Sequence, residues 1–269
     1  MPTARPGWPL PIRTESVVQG QTVSFLDRPG EDPPVVLLHG WGASAESFTG
    51  LLRRSRSPRR LVAPDLPGFG LSPIGQGSWT TSSYSELLRE WIGTLGWPVY
   101  SLLGHSYGGS ISIRLAGGPG PTADRLLLCA ASGIRPKEEM AQRSRVGIFK
   151  ALRAAARWLP GPASRTATEW LSQRFGSADY RAASPELRRT LVAAVQEDLS
   201  PLAPLIHVPT LVLWGAKDPE LPLDPHAGRL AGLIPPAELV VFEASGHFPF
   251  VDEPARFTLV FDSFMDAEL

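Results

Sequence analysis

Apolar residues come in short runs along this chain, each closed by glycine, proline or a polar cluster. The stretch PPVVLLHG, ending at Gly40, is apolar on consecutive positions, and so are RRLVAPDLPG, PVYSLLGH, DRLLLCAA, VPTLVLWG and AELVVFEA further on. Runs this short and continuous predict strands covered on both faces of a sheet. Between them stand segments with helical spacing. SSYSELLREWIGTL places Tyr84, Leu87, Leu88, Trp91 and Leu95 on one face, the stripe of an amphipathic helix. SAESFTGLLRR, with Ser44 as the expected cap, SYGGSISIRLAG, DPHAGRLAGLI and ARFTLVFDSFM predict further helices. ESVVQGQTVSFLDRPG predicts a hairpin turning at Gln19 to Gln21.

Buried strands alternating with helices imply right-handed crossovers and a mostly parallel sheet. The alternation stops once. From about Ile134 to His207 helices are expected and no strand, with Pro160, Gly161 and Pro162 dividing the stretch. The expected organisation is an α/β core of residues 1–133 and 208–269, with 134–207 inserted as a helical cap over the strands' carboxyl ends. Open α/β sheets bind ligands at that edge.

Composition narrows the field little. Basic and acidic residues balance at 26 each, which gives no reason to expect nucleic acid or a charged membrane surface as partner. The single cysteine, Cys129, sits in an expected strand and reads as core. Prolines interrupt the N-terminal segment, and no apolar run is long enough to span a bilayer. A cytoplasmic protein with no membrane association is the expectation. No cluster has metal-ligand spacing, no dinucleotide-binding glycine pattern occurs, and no cofactor is expected.

The chemistry gathers around LLGHSYGGS. Gly104, Ser106 and Gly108 fit G-x-S-x-G between an expected strand and an expected helix. A plain turn would also accommodate a small polar residue there. A serine hydroxyl becomes a nucleophile only when a base takes its proton. Of five histidines, His247 lies in a loop after the last apolar run and is the candidate base. His105 adjoins the serine, but neighbouring side chains diverge at such a turn. His207 and His226 read as structural or exposed. Asp218, in the loop after VPTLVLWG, is the candidate acid that orients the base. Glu220 and Asp224 are its rivals; Glu220 is expected to face solvent, and Asp224 to cap the following helix. The backbone N–H groups of Trp41 and Tyr107 are candidates for an oxyanion hole. Trp158, Trp170, Phe175 and Phe248 are candidate pocket residues.

The pieces HGWG, DLPGFGLS, GHSYGG, WGAKD and GHFPFVDEP, spread from about residue 35 to 255, resemble the α/β-hydrolase fold superfamily. The resemblance implies Ser106 as nucleophile, Asp218 as acid, His247 as base and Asp65 as a structural loop aspartate. SGIRPKEE and GSADYRAASPELRRTL resemble the cap of bacterial hydrolases of unassigned substrate. Epoxide hydrolases and haloalkane dehalogenases of this fold use an aspartate where Ser106 stands. Carbon–carbon bond hydrolases usually carry Asn before the serine and Trp after the histidine, where this chain has His105 and Phe248. The expectation is a carboxylic-ester hydrolase acting on a small to medium substrate. The alternatives are cleavage of carbon–carbon or amide bonds, or a binding protein that keeps the pocket.

Overall fold

The computed structural model describes residues 9–75, 79–120, 123–135 and 178–268. Eight strands form one sheet: β1 (Ile12–Val18), β2 (Gln21–Arg28), β3 (Glu31–Leu38), β4 (Arg59–Pro64), β5 (Ser101–His105), β6 (Leu126–Cys129), β7 (Thr210–Gly215) and β8 (Ala237–Phe242). Their order across the sheet is β1-β2-β4-β3-β5-β6-β7-β8. β2 runs antiparallel to both its neighbours, β1 and β4, and every later pairing is parallel. The hairpin turns at Gln19 and Gly20, both with positive φ.

The continuous apolar runs are explained by the packing. Val36, Leu38, Leu102, Leu126, Leu128 and Val212 point into one hydrophobic cluster. Their sequence neighbours Val35, Leu37, Leu103, Leu127 and Leu213 point into a second cluster on the other face. Side chains alternate along a strand, so a sheet covered twice needs apolar residues at every position. Each fully buried side chain of this size stabilises by about 1.5–3 kcal/mol. Cys129 belongs to the second cluster, and burial pushes its thiol pKa up, so it is an inert core residue.

The described helices are α1 (Thr49–Arg54), α2 (Thr81–Thr94), α3 (Tyr107–Gly117), α4 (Ala178–Ala182), α5 (Pro185–Gln196), α6 (Leu223–Leu233), α7 (Pro249–Asp252) and α8 (Pro254–Met265). α2 begins with a reciprocal cap, Thr80 with Ser83. Two expected caps are not made. Ser44 precedes a 3-10 turn, Ala45–Phe48, with no side-chain cap bond. Asp224 lies inside α6 with extended backbone (φ −98°, ψ 127°), and the helix has no side-chain cap at Pro222. A proline follows Asp224 and disfavours helical dihedrals there. The four-residue α7 begins two residues after His247, with Phe248 between, and stands where the sequence suggests only loop; Pro249 at its first turn favours a helical start.

Within the expected cap, the described residues from 178 onward hold α4, α5 and a 3-10 turn at Ala203–Leu205. Arg114 of α3 pairs with Glu197 just past α5. A Cβ on Gly68 would lie 3.0 Å from the Leu187 side chain, so α5 packs on the loop after β4. Trp158, Trp170 and Phe175 fall outside the described residues. Among those described, no helix is long and apolar enough to cross a membrane.

Candidate active site

Parallel strands deliver their following loops to one edge. Trp41 follows β3, Asp65 follows β4, Ser106 follows β5, Asp218 follows β7 and His247 follows β8. β3 and β5 are sheet neighbours, with β4 on the far side of β3. The chain therefore reverses its lateral direction between them, and this opens the crevice that α/β sheets use for ligands.

Ser106 occupies a strained turn. Its φ is 50° and its ψ −114°, a conformation that costs a non-glycine residue about 1–3 kcal/mol. The surroundings hold it there. Ser106 N donates to Cys129 O at 3.0 Å, and Ser106 O accepts from Gly109 N (2.9 Å), Ser132 N (3.0 Å) and Ser110 N (3.3 Å). The helix α3 presses against the end of β3. A Cβ at Gly108 would stand 2.1 Å from Leu38 O, so only glycine fits. Ser106 itself is half-buried at this tip.

His247 and Asp218 form a buried pair. His247 Nδ1 lies 2.7 Å from Asp218 Oδ2, with the two side chains 4% and 0% exposed. The other carboxylate oxygen accepts from Glu220 N (2.8 Å) and Leu221 N (2.9 Å). Burial opposes ionisation of Asp218, but the bonds from His247 and the two amides outweigh it and hold its pKa below the usual carboxylate value. An ionised Asp218 accepts from Nδ1–H, which leaves Nε2 as the free nitrogen. The two loops are locked together. Lys217 N donates to Ser245 O at 2.9 Å, and a Cβ at Gly215 would meet Gly246 O at 2.0 Å. Asp252 accepts from Gly246 N (2.8 Å), and Glu253 accepts from Ser245 Oγ (2.7 Å), so α7 and the start of α8 brace the His247 loop.

Two contacts of His247 escape sequence reasoning. His105 is buried, and its Nε2 lies 2.9 Å from His247 O. Its pKa is lowered to about 3, by burial first and by the neighbouring His247 ring. Glu220, expected to face solvent, is 59% exposed and yet brings Oε2 within 3.5 Å of His247 Nε2. No hydrogen bond joins Ser106 Oγ to His247 among the described residues. The only sequence signals for these contacts are adjacency to Ser106 and proximity to Asp218.

Tyr107 opens α3, where N–H groups have no intrahelical acceptor. Its ring stacks edge-on with Trp41, centroids 5.6 Å apart, so the two residues of the expected oxyanion hole are in contact. Phe248 is 38% exposed and lies 4.9 Å from the His105 ring, at the rim. Asp65, fully buried, accepts from Ala45 N (2.7 Å), Leu71 N (2.9 Å) and Arg13 Nη1 (2.7 Å) and so ties three segments together. His39 is buried between Gly40 O (2.8 Å) and Leu66 N (3.0 Å). His226, read as structural or exposed, is buried, with Nδ1 2.9 Å from Pro222 O; His207 is exposed. Among the described residues no group of three or more His, Cys, Asp or Glu side chains is arranged to hold a metal ion.

Residues 35–258 match the model of the alpha/beta hydrolase family. The chain belongs to this family. It is 29% identical over 254 residues to the pimeloyl-[acyl-carrier protein] methyl ester esterase of Aeromonas salmonicida, covering 86% of this chain and 95% of the relative. It is 26% identical over 261 residues to an uncharacterised protein of Mycobacterium tuberculosis, covering 88% and 76%. Among solved structures, an esterase from Exiguobacterium antarcticum superposes with a TM-score of 0.69 at 26% identity, covering 93% of this chain and 97% of that one. A meta-cleavage product hydrolase at 22% identity and TM-score 0.70 shares the fold, over 94% and 97% of the two chains.

Proposed function

We propose that this protein is a serine hydrolase that cleaves carboxylic esters of small to medium size through an acyl-enzyme. The observation that carries the reading is the buried Asp218–His247 pair at 2.7 Å, on the same sheet edge as a serine held at φ 50°. Similarity to an ester-cleaving relative and to an esterase of known structure supports the choice of bond.

In this reading Ser106 Oγ attacks the ester carbonyl carbon while His247 Nε2 takes its proton. The tetrahedral oxyanion accepts hydrogen bonds from the N–H groups of Trp41 and Tyr107. Asp218 holds the imidazole in the Nδ1–H tautomer and stabilises the imidazolium. The intermediate collapses, the ester C–O bond breaks, and Nε2 returns the proton to the departing alcohol. Water then repeats the sequence on the acyl-enzyme, releasing the acid and free Ser106. Residues 134–207 form a cap that selects the acyl group, with Trp158, Trp170, Phe175 and Phe248 as pocket residues.

Turnover of p-nitrophenyl esters with acyl chains of increasing length tests the reading. The expected result is ester hydrolysis with an optimum at short to medium chains, lost in His247→Ala. Absence of turnover across the series, in a folded protein, would reject it.

A further inference from the structure

Two carboxylates face one imidazole, one at each nitrogen. Asp218 Oδ2 is 2.7 Å from Nδ1, and Glu220 Oε2 is 3.5 Å from Nε2. The triad accounts for the first and leaves the second unexplained. Glu220 is anchored from behind, since its backbone N–H donates to Asp218 Oδ1 at 2.8 Å. Its side chain remains 59% exposed, so the negative charge stands on the solvent side of Nε2. In the mechanism above, Nε2 is the atom that hands a proton to the departing alcohol. The charge therefore lies beside the atom that the departing alcohol must reach.

We propose that Glu220 is a specificity-determining residue: its carboxylate beside Nε2 disfavours esters whose alcohol is anionic near the scissile bond and favours cationic alcohols. This inference rests on the serine-hydrolase reading.

Other charged groups around His247 do not supply this field. His105, packed on the ring from β5, is held neutral by burial. Asp218 is committed to Nδ1 and two amides. Asp252 on α7 is engaged with Gly246 N. A charge on the departing alcohol would meet this carboxylate through a water-like medium, where such a pair changes a rate by up to about fivefold. Exposure makes the effect sensitive to salt.

The experiment compares wild type with Glu220→Gln, and with Glu238→Gln, an exposed acid near the start of β8, as a control for one lost surface charge. The first readout is the rate at which Ser106 is phosphonylated by two phosphonothioates, with thiocholine and the uncharged 3,3-dimethylbutanethiol as leaving groups, which needs no ester turnover. The thiocholine compound is expected to react faster with the wild type, by a ratio that falls about threefold in Glu220→Gln at low salt, less at high salt and not at all in Glu238→Gln. The second readout is kcat/KM for three acetate esters, whose alcohols are choline, its uncharged isostere 3,3-dimethylbutanol, and 3-hydroxypropionate. The wild type is expected to rank them in that order. Glu220→Gln is expected to reduce the choline-to-hydroxypropionate ratio by about fivefold. An unmoved labelling ratio, an unmoved ester ratio, or an equal change in Glu238→Gln would overturn the assignment. If none of the three esters is turned over while Ser106 is labelled, the labelling ratio alone decides the role of Glu220; if Ser106 is not labelled either, the serine-hydrolase reading fails and the assignment with it.

Discussion

The ring of His105 donates from Nε2 to the backbone carbonyl of His247, 2.9 Å away. A carbonyl only accepts, so His105 carries its proton on Nε2 and stays neutral. The residue beside the candidate nucleophile thus fixes the backbone of the candidate base. Replacing His105 with Leu leaves that carbonyl unsatisfied in a buried place, which costs about 1–3 kcal/mol. It should also displace His247, and misplacement of a base by about 1 Å costs up to about 100-fold in rate. The expected result is a fall in kcat with KM little changed. Gln, which can also donate, should recover part of it. Steady-state kinetics of the two variants check this.

Burial of two neutral histidines makes the fold acid-sensitive. The pKa of His105 is lowered to about 3 and that of His39 to about 4, in both cases chiefly by burial. An unfolded histidine titrates near 6.5. Between these values the unfolded chain binds more protons than the folded one, so stability rises with pH across the window. The contribution is complete above about pH 6.5 and declines as pH falls toward the folded values. Urea midpoints measured from pH 7 down to pH 4 should fall steadily. His39→Gln should flatten part of that slope. A midpoint independent of pH over this range would contradict the assignment.

Asp218 and Asp224 are separated by their surroundings. Asp218 is buried against His247 Nδ1, whereas Asp224 lies on a bend in α6 without a capping role at the helix start. Asp218→Asn should lower kcat by about 10⁴, because the amide favours the wrong imidazole tautomer. Asp224→Asn should leave turnover within about twofold and stability within about 0.5 kcal/mol, as for a surface substitution. Kinetics and melting temperatures of the pair decide between them.

Asp65 has a structural task. Removing its carboxylate strands the amides of Ala45 and Leu71 and takes one partner from Arg13, which keeps Ser24 and Glu46. Asp65→Ala should therefore destabilise by about 3–5 kcal/mol, read as a fall in melting temperature of about 6–20 °C for a chain of this size. Asp65→Asn, which keeps two acceptor positions on one oxygen, should lose less.

Much of this architecture is legible in the residues. Leu126, Leu127 and Leu128 in succession permit little other than a strand covered on both faces, and the structure places them so. Gly104 marks the turn at Ser106 because the crowding that excludes a Cβ there, against Gly108, Gly109 and Ser112, is local, whereas Gly108 is required by the distant end of β3 at Leu38. Contacts between distant loops are not local. Nothing in GHSYGG signals that His105 reaches a carbonyl 142 residues away, and nothing in AKDPEL says that Glu220 curls back to Nε2.

In the proposed mechanism Ser106 is the nucleophile of an acyl-transfer reaction. Intact-mass spectrometry after incubation with a fluorophosphonate tests this role whatever the substrate is. The protein should gain one phosphonyl group, mapped by peptide sequencing to Ser106, and Ser106→Ala should gain none while keeping its melting temperature. Labelling should slow sharply in His247→Ala, since the hydroxyl is inert without its base. An unlabelled wild-type protein, or a label that persists in Ser106→Ala, would contradict that role for Ser106.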